Sequence, residues 1–398
     1  MCNDHIRRTR AGLTQVIEPA DALGVVASKA WGPTRLLEII QGATPTQQDW
    51  KTLVGEYPQD GQFARTLRNN LGSAIERWRR RSSYLNPDQA LRYITNIGGR
   101  LMIPEDPEWP AALADLESTE PIGLWSLGEA DVPEVDRIVG LVGSREATSY
   151  GTQATRMLVQ EARKMGLTVL SGGAYGIDAQ AHHQALEATE SGLATIAVLA
   201  GGLDRLYPAG NMGLLRKIVQ EGLLITEMPP GMRPNRYRFL NRNRLIAALA
   251  HTTIVVEARY RSGALNTANH AHDLGRTVGA VPGPFNVPSS AGCHRLIKET
   301  PSLLIDDPAD LRRLYGSFSS GQQPARDREH QRSFDILSTE EMLVFEALPL
   351  HARTNVQHLC QITGLAVPSV TGILTKLSRC DLAEHNEHGW RKARDTMA

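Results

Sequence analysis

Ser171-Gly172-Gly173-Ala174-Tyr175-Gly176-Ile177-Asp178 lies between an apolar run at 167–170 and a helical stretch carrying His182 and His183. An apolar run, a glycine-rich turn and a helix make one β–turn–α step. Glycines ahead of a helix N-terminus free backbone N–H groups to face an anion. The spacing is neither the G-x-G-x-x-G dinucleotide fingerprint nor a Walker A loop. Asp178 and His182 stand at i and i+4, a spacing that could hold a metal, but no third ligand is near. The plainer reading is that Asp178 caps the helix and His182 packs locally.

The same step recurs on both sides. Candidate strands fall at 138–142, 167–170, 194–199, 223–226, 253–257 and 278–281. Helical stretches fall near 150–165, 177–190, 211–221, 241–250, 264–274 and 292–299. Near-continuous apolar strands alternating with helices predict an α/β fold around a buried parallel sheet. Ligands of such sheets sit at the carboxyl ends of the strands.

The loops at those ends carry the chemistry. The first strand ends in Val142-Gly143-Ser144-Arg145, where glycine permits close approach, serine offers a hydroxyl and arginine a fork for phosphate. Residues 229–263 hold Arg233, Arg236, Arg238, Arg242, Arg244, Arg259 and Arg261 against Glu257 alone. Tyr237 and Phe239 interleave with them, a stacking platform beside a phosphate track, as single-stranded nucleic acid requires. Asn241-Arg242-Asn243-Arg244 is expected to open a helix, with Arg145 and Arg242 in exposed loops. Ser262-Gly263, followed by Thr267, opens the next one.

The flanks differ. Residues 1 to 103 read as a helical domain, with Trp31-Gly32-Pro33 stopping one helix and starting another. Arg65, Arg68, Arg77, Arg79, Arg80 and Arg81 form a basic run that suits either phosphate contact or a solvated helix face. Residues 104–136 are rich in proline and acid and read as a connecting segment with short elements. Residues 316–333 read as a flexible linker. Residues 334–398 read as three helices and a wing, a winged helix-turn-helix, opened by the capping box Ser338–Glu341. That module holds six basic and eight acidic residues, a poor charge balance for duplex binding.

Composition bounds the rest. Lys+Arg and Asp+Glu are 43 each in 398 residues, so contact with nucleic acid must come from a local patch. The four cysteines form no C-x-x-C pair, which argues against a disulfide scaffold or zinc ribbon. No secretory h-region and no run of about 18 apolar residues stands out. The expectation is a cytoplasmic protein without cofactor, metal or membrane contact.

Seven ordered motifs between 143 and 283 resemble the DNA-processing protein A family, DprA or Smf. They are Gly143-Ser144-Arg145, the stretch from Ser171 to Leu186, that from Gly201 to Asn211, and Thr226-Glu227-Met228-Pro229. Phe239 to Leu249, Val255 to Ala268, and Gly275-Arg276 with Ala280-Val281-Pro282-Gly283 complete the set. The resemblance implies an extended Rossmann-like domain, at 104–315 with its leading segment, that binds single-stranded DNA and dimerises. It also implies a helical N-terminal domain of SAM or helix-hairpin-helix type, and loading of RecA recombinase onto DNA in natural transformation. Carried over, Gly143, Ser144, Arg145, Ser171, Gly172, Gly173 and Tyr175 contact DNA, with Phe239, Asn241, Arg242, Asn243, Arg244, Ser262, Gly263 and Thr267. The departures are Tyr175 in a slot often basic, Leu240 for proline, Ala264 and Thr226 for serine, and His294 and Thr300-Pro301 for asparagine and Gly-Ala.

Two other classes compete. A Rossmann-like enzyme that binds nucleotides or cleaves nucleoside monophosphates would carry P-G-G-x-G-T-x-x-E. Ala200-Gly201-Gly202-Leu203 and Pro282-Gly283-Pro284 do not continue into it. Cys293 and His294 are adjacent, and helix neighbours point about 100° apart, so they make no nucleophile–base pair. A transcription regulator would instead rely on the poorly charged C-terminal module.

Overall fold

A computed structural model describes residues 2–55, 61–188, 192–316, 338–350, 352–380 and 382–393. Of the linker expected at 316–333, Gly316 ends a helix and residues 317–333 lie outside the described residues, as do the side chains of Arg65 and Arg68. The chain forms two compact units, Met1–Ser320 and Gly321–Ala398.

Among the described residues the first unit holds a nine-stranded sheet. Its strands are β1 (Gly99–Met102), β2 (Leu124–Leu127), β3 (Ile138–Val142), β4 (Thr168–Gly172), β5 (Thr195–Val198), β6 (Leu223–Thr226), β7 (Thr252–Val255), β8 (Thr277–Ala280) and β9 (Leu303–Leu304). The order is β1-β2-β6-β5-β4-β3-β7-β8-β9. From β6 to β9 all pairings are parallel, with Val142 opposite Val255 across β3 and β7. The six expected strands are there, β3 and β6 with the expected bounds and the other four differing by a residue or two.

Period-two alternation builds two core layers. Ile138 and Val142 face one, with Leu245, Ile246 and Leu249 of the helix Arg236–Leu249. Val139 and Leu141 face the other, with Leu158, Val159 and Ala162 of the helix Ser149–Lys164 and Ile177 and Ala181 of the helix Ile177–Glu187.

Four elements depart from the sequence reading. β1 lies where helix was expected, and β2 within the proline-rich connecting segment; they pair with each other, and β2 pairs with β6, antiparallel. β9 adds two residues beyond β8. The helix expected at 241–250 begins at Arg236, because the Asn235 side chain accepts from the Arg238 N–H at 2.9 Å and caps it there.

The N-terminal helices pack around Leu13, Val16, Leu36, Ile39, Leu71 and Trp78. Gly32, at φ 76°, ends the helix Ala22–Trp31, and Pro33 opens the next. No helix among the described residues is long and apolar enough to cross a membrane.

The second unit has its own core around Val344, Leu359, Val370, Leu374 and Leu377. It consists of helices Thr339–Ala347, Val356–Thr363 and Val367–Arg379, then a two-stranded antiparallel hairpin, β10 (Ala383–Asn386) and β11 (Gly389–Lys392). Ser338 and Glu341 form the expected capping box.

Candidate nucleic-acid interface

Strand order reverses between β3 and β7: β4, β5 and β6 follow β3 to one side, β8 and β9 follow β7 to the other. A crevice opens at such a switch point, outside the carboxyl ends of the strands. Here it is a cavity of about 310 Å³ lined by the loop after β3, by one face of the helix Arg236–Leu249 and by the start of the helix Gly263–Asp273.

The loop after β3 is a fixed turn. A Cβ on Gly143 would lie 2.6 Å from Ile177 Cγ1, so glycine lets strand and helix meet. The Ser144 N–H donates to the Glu257 carbonyl at 2.7 Å, and the Ser144 carbonyl accepts from the Ile177 N–H at 3.0 Å. Its hydroxyl bonds both main-chain groups of Glu146, so Ser144 holds the turn. Arg145 is left exposed, its guanidinium carbon 5.4 Å from the Phe239 ring centre.

Phe239, Arg242, Asn243 and Ile246 recur at helix spacing and line the cavity together. Arg242 corrects the exposed-loop expectation: it is mid-helix and 7 % exposed. Its guanidinium donates to the Val198 carbonyl and lies against Gly172, where a Cβ would be 2.1 Å from Nη1. Burial pushes its pKa down, and Asp178 opposes that. Asp178 also lines the cavity; burial pushes its carboxyl up, opposed first by Arg242. No carboxylate among the described residues pairs with Arg242, and its Nε is buried without a partner. Asn243 donates to the Gly263 carbonyl at 3.3 Å and to Asn266 at 3.2 Å, tying the two helices. Ser262 caps the second helix, accepting from the Ala264 N–H at 3.3 Å, while Gly263 is exposed and Thr267 is buried at the wall.

Other expected contacts stand elsewhere. Ser171 is fully buried and donates to the Leu141 carbonyl at 2.5 Å. Gly172 makes room for Arg242, and Gly173 lines a smaller adjoining cavity with Tyr207. The Tyr175 hydroxyl accepts from the Gly210 N–H at 3.2 Å, outside the cavity. Asn241 does not line it either. Arg244 is 3 % exposed, paired with Glu227 through two contacts of 2.6 Å and donating to the Thr119 carbonyl. Arg244 thus serves as scaffold here and does not line the cavity. His182 is satisfied by the Thr195 hydroxyl and the Gly172 carbonyl.

The arginine-rich stretch is therefore partly neutralised, by partners that counting within it missed. Arg238 pairs with Glu18 at 2.9 Å and Arg259 with Glu146 at 2.6 Å. Among the described residues no carboxylate pairs with Arg145, Arg233, Arg236 or Arg261, all exposed. The partners sequence reasoning missed are Glu18, Glu146 and Glu227, with the cap Asn235. Asn235, directly after Pro234, carried a cap signal and Glu227 stood in a quoted motif; Glu18 and Glu146 carried none.

Fold and site define a Rossmann-like protein with a cationic, aromatic-edged crevice at its switch point. A family model described as DNA recombination-mediator protein A matches residues 100–315, and the chain belongs to that family. It is 42 % identical over 314 residues to a DNA processing protein DprA of Mycobacterium tuberculosis, covering 76 % of this chain and 79 % of the relative. It is 34 % identical over 285 residues to the protein Smf of Synechocystis, covering 70 % and 68 %. The X-ray structure of DprA from Streptococcus pneumoniae superposes with a TM-score of 0.54 at 26 % identity, covering 77 % of this chain and all of that one.

Proposed function

We propose that this chain binds single-stranded DNA, with backbone phosphates at the cavity beyond β3 and β7 and bases against Phe239. The observation that carries the reading is the convergence on one crevice of Arg145, Arg242, Arg261 and the N-terminus of the helix Gly263–Asp273, with Phe239 beneath Arg145. Cations and helix N–H groups suit phosphate. An aromatic face suits any base, which makes the binding tolerant of sequence. The reading extends to protection of the strand, loading of RecA recombinase during DNA uptake and recombination, and a homodimer through the Rossmann-like domain. It treats the protein as a binder, not an enzyme. The helices before β1 belong to a SAM or helix-hairpin-helix type domain. Residues 334–398 form a winged helix that contacts protein or tunes DNA binding.

The test is a titration of single-stranded DNA, duplex DNA and free nucleotides at several salt concentrations. Preference for the single strand is expected, with a steep fall in affinity as salt rises. Equal affinity for duplex, preference for free nucleotide or a salt-independent interaction would refute the reading.

A further inference from the structure

We propose that Glu257 is a positioning residue for the phosphate-facing loop: its buried carboxylate pins the turn that carries Arg145. The inference rests on the single-stranded DNA reading above. Within the stretch 229–263, Glu257 is the lone acid among seven arginines, which suggests a counter-charge. The structure places it otherwise. It is 2 % exposed, it is absent from the cavity wall, and no cation among the described residues is within ion-pair distance of it.

Its carboxylate turns toward the loop after β3. Oε2 accepts from the Thr148 N–H at 3.0 Å, and Oε1 from the Thr148 hydroxyl at 2.6 Å. The Ser289 hydroxyl donates to Oε1 at 3.4 Å. Every partner is a donor, which matches an acceptor-only carboxylate. The main-chain carbonyl of Glu257 accepts from the Ser144 N–H at 2.7 Å. One residue therefore ties down both positions 144 and 148, on either side of Arg145.

Two further features support this. The Thr148 hydroxyl also accepts from the Gly151 N–H at 3.1 Å, capping the helix Ser149–Lys164, so the loop's far end is anchored twice. A Cβ on Gly151 would lie 2.2 Å from Glu257 Oε2, so the carboxylate fills space that only glycine leaves. A desolvated carboxylate among neutral donors is expensive. A loop pinned at both ends loses less freedom when it takes up a ligand, and that gain is realised as affinity.

The experiment is a double-mutant cycle on the full chain. Parent, Glu257→Gln, Arg145→Ala and the double variant are titrated with an oligothymidylate across a range of salt. Glutamine keeps the shape but turns an amide N–H₂ toward the donors of Thr148. Glu257→Gln is expected to weaken binding about tenfold. Its salt slope should fall by about 0.7, the share of one phosphate contact. Adding it to Arg145→Ala should cause little further loss, because both act through one contact. An unchanged slope, or fully additive losses, would make Glu257 mere scaffold and overturn the proposal. Should Glu257→Gln fail to fold, Thr148→Val removes the hydroxyl donor while keeping the N–H, and the same two readouts apply. If Arg145→Ala itself leaves affinity and slope unchanged, the DNA reading of the cavity fails and this inference with it. Failure confined to Glu257→Gln and Thr148→Val sinks the inference alone.

Discussion

The guanidinium carbon of Arg145 stands 5.4 Å from the centre of the Phe239 ring, and that ring is 5.9 Å from the ring of Tyr207. A loop cation and a helix aromatic, distant in sequence, thus present one edge of the cavity. Arg145→Ala is expected to weaken single-stranded DNA binding and lower the salt slope by about 0.7. Phe239→Ala is expected to cost about 1–3 kcal/mol with the slope retained, since stacking involves no counterions. Fluorescence anisotropy at four salt concentrations separates the two. Identical behaviour of the variants would refute this division of labour.

Arg242→Ala differs in kind from Arg145→Ala. Arg242 is buried, donates to the Val198 carbonyl and is the largest charge offsetting Asp178. Its removal leaves a buried acceptor and a buried carboxyl less compensated. We expect a loss of stability on the order of 3 kcal/mol, measured by urea denaturation, together with weakened DNA binding. A variant as stable as the parent would contradict the burial argument.

The buried pair Arg244–Glu227 supplies a control beside the site. Arg244→Ala strands Glu227 and the Thr119 carbonyl, and about 3–5 kcal/mol of stability should be lost. Replacing both partners by methionine and leucine should restore much of it, with the salt slope of DNA binding unchanged. A drop in slope for the stable double variant would show that Arg244 does meet phosphate.

These contrasts mark how far the sequence was legible. β3 to β8 announce themselves as apolar runs between turn residues, because strands buried on both faces need apolar side chains throughout. β1, β2 and β9 do not: β1 merges with a helical pattern, β2 lies among prolines, and β9 has two residues. Arg145 and Phe239, which both line the cavity, were readable as candidate site residues from local motifs. That Arg238 is spent on Glu18, 220 positions away, is long-range packing that no local count contains. Glu257 was visible as a charge and within the motif from Val255 to Ala268, but its role was not, because that depends on Thr148, which the fold alone brings alongside.

His182 gives a pH signature. It is fully buried, and burial pulls its pKa from 6.5 to about 4. The Gly172 carbonyl can only accept, so Nε2 carries a proton, and with its pKa lowered to about 4 by burial the folded ring is neutral near pH 7. Below pH 6.5 the unfolded chain takes up a proton that the folded one refuses until about 4. Stability from this group is thus complete above 6.5 and lost as pH falls through that window, by on the order of 3 kcal/mol. Urea denaturation from pH 7.5 to 4.5 should show the decline, and His182→Gln should flatten it. An equally steep decline in the variant would assign the acid limb to other groups.

Removing the C-terminal unit should leave single-stranded DNA binding largely intact. The unit's core is its own. Its cations are largely spent within it: Lys376 on Glu341, Arg391 and Arg353 on Glu384, and Lys392 on Glu346. Residues 334–398 carry eight acids against six bases, so their loss removes no net positive charge. Arg145, Arg242 and Arg261 all remain in a chain ending at Tyr315, whose hydroxyl donates to the Ile138 carbonyl at 2.6 Å and closes the first unit against β3. The truncated and full chains are compared by DNA titration at two salt concentrations and by light scattering. Affinity is expected to stay within about tenfold, or ~1.4 kcal/mol, and the salt slope to match. A larger loss with a shallower slope would mean that the C-terminal unit meets phosphate directly, and that the crevice beyond β3 and β7 is only part of the DNA-binding surface.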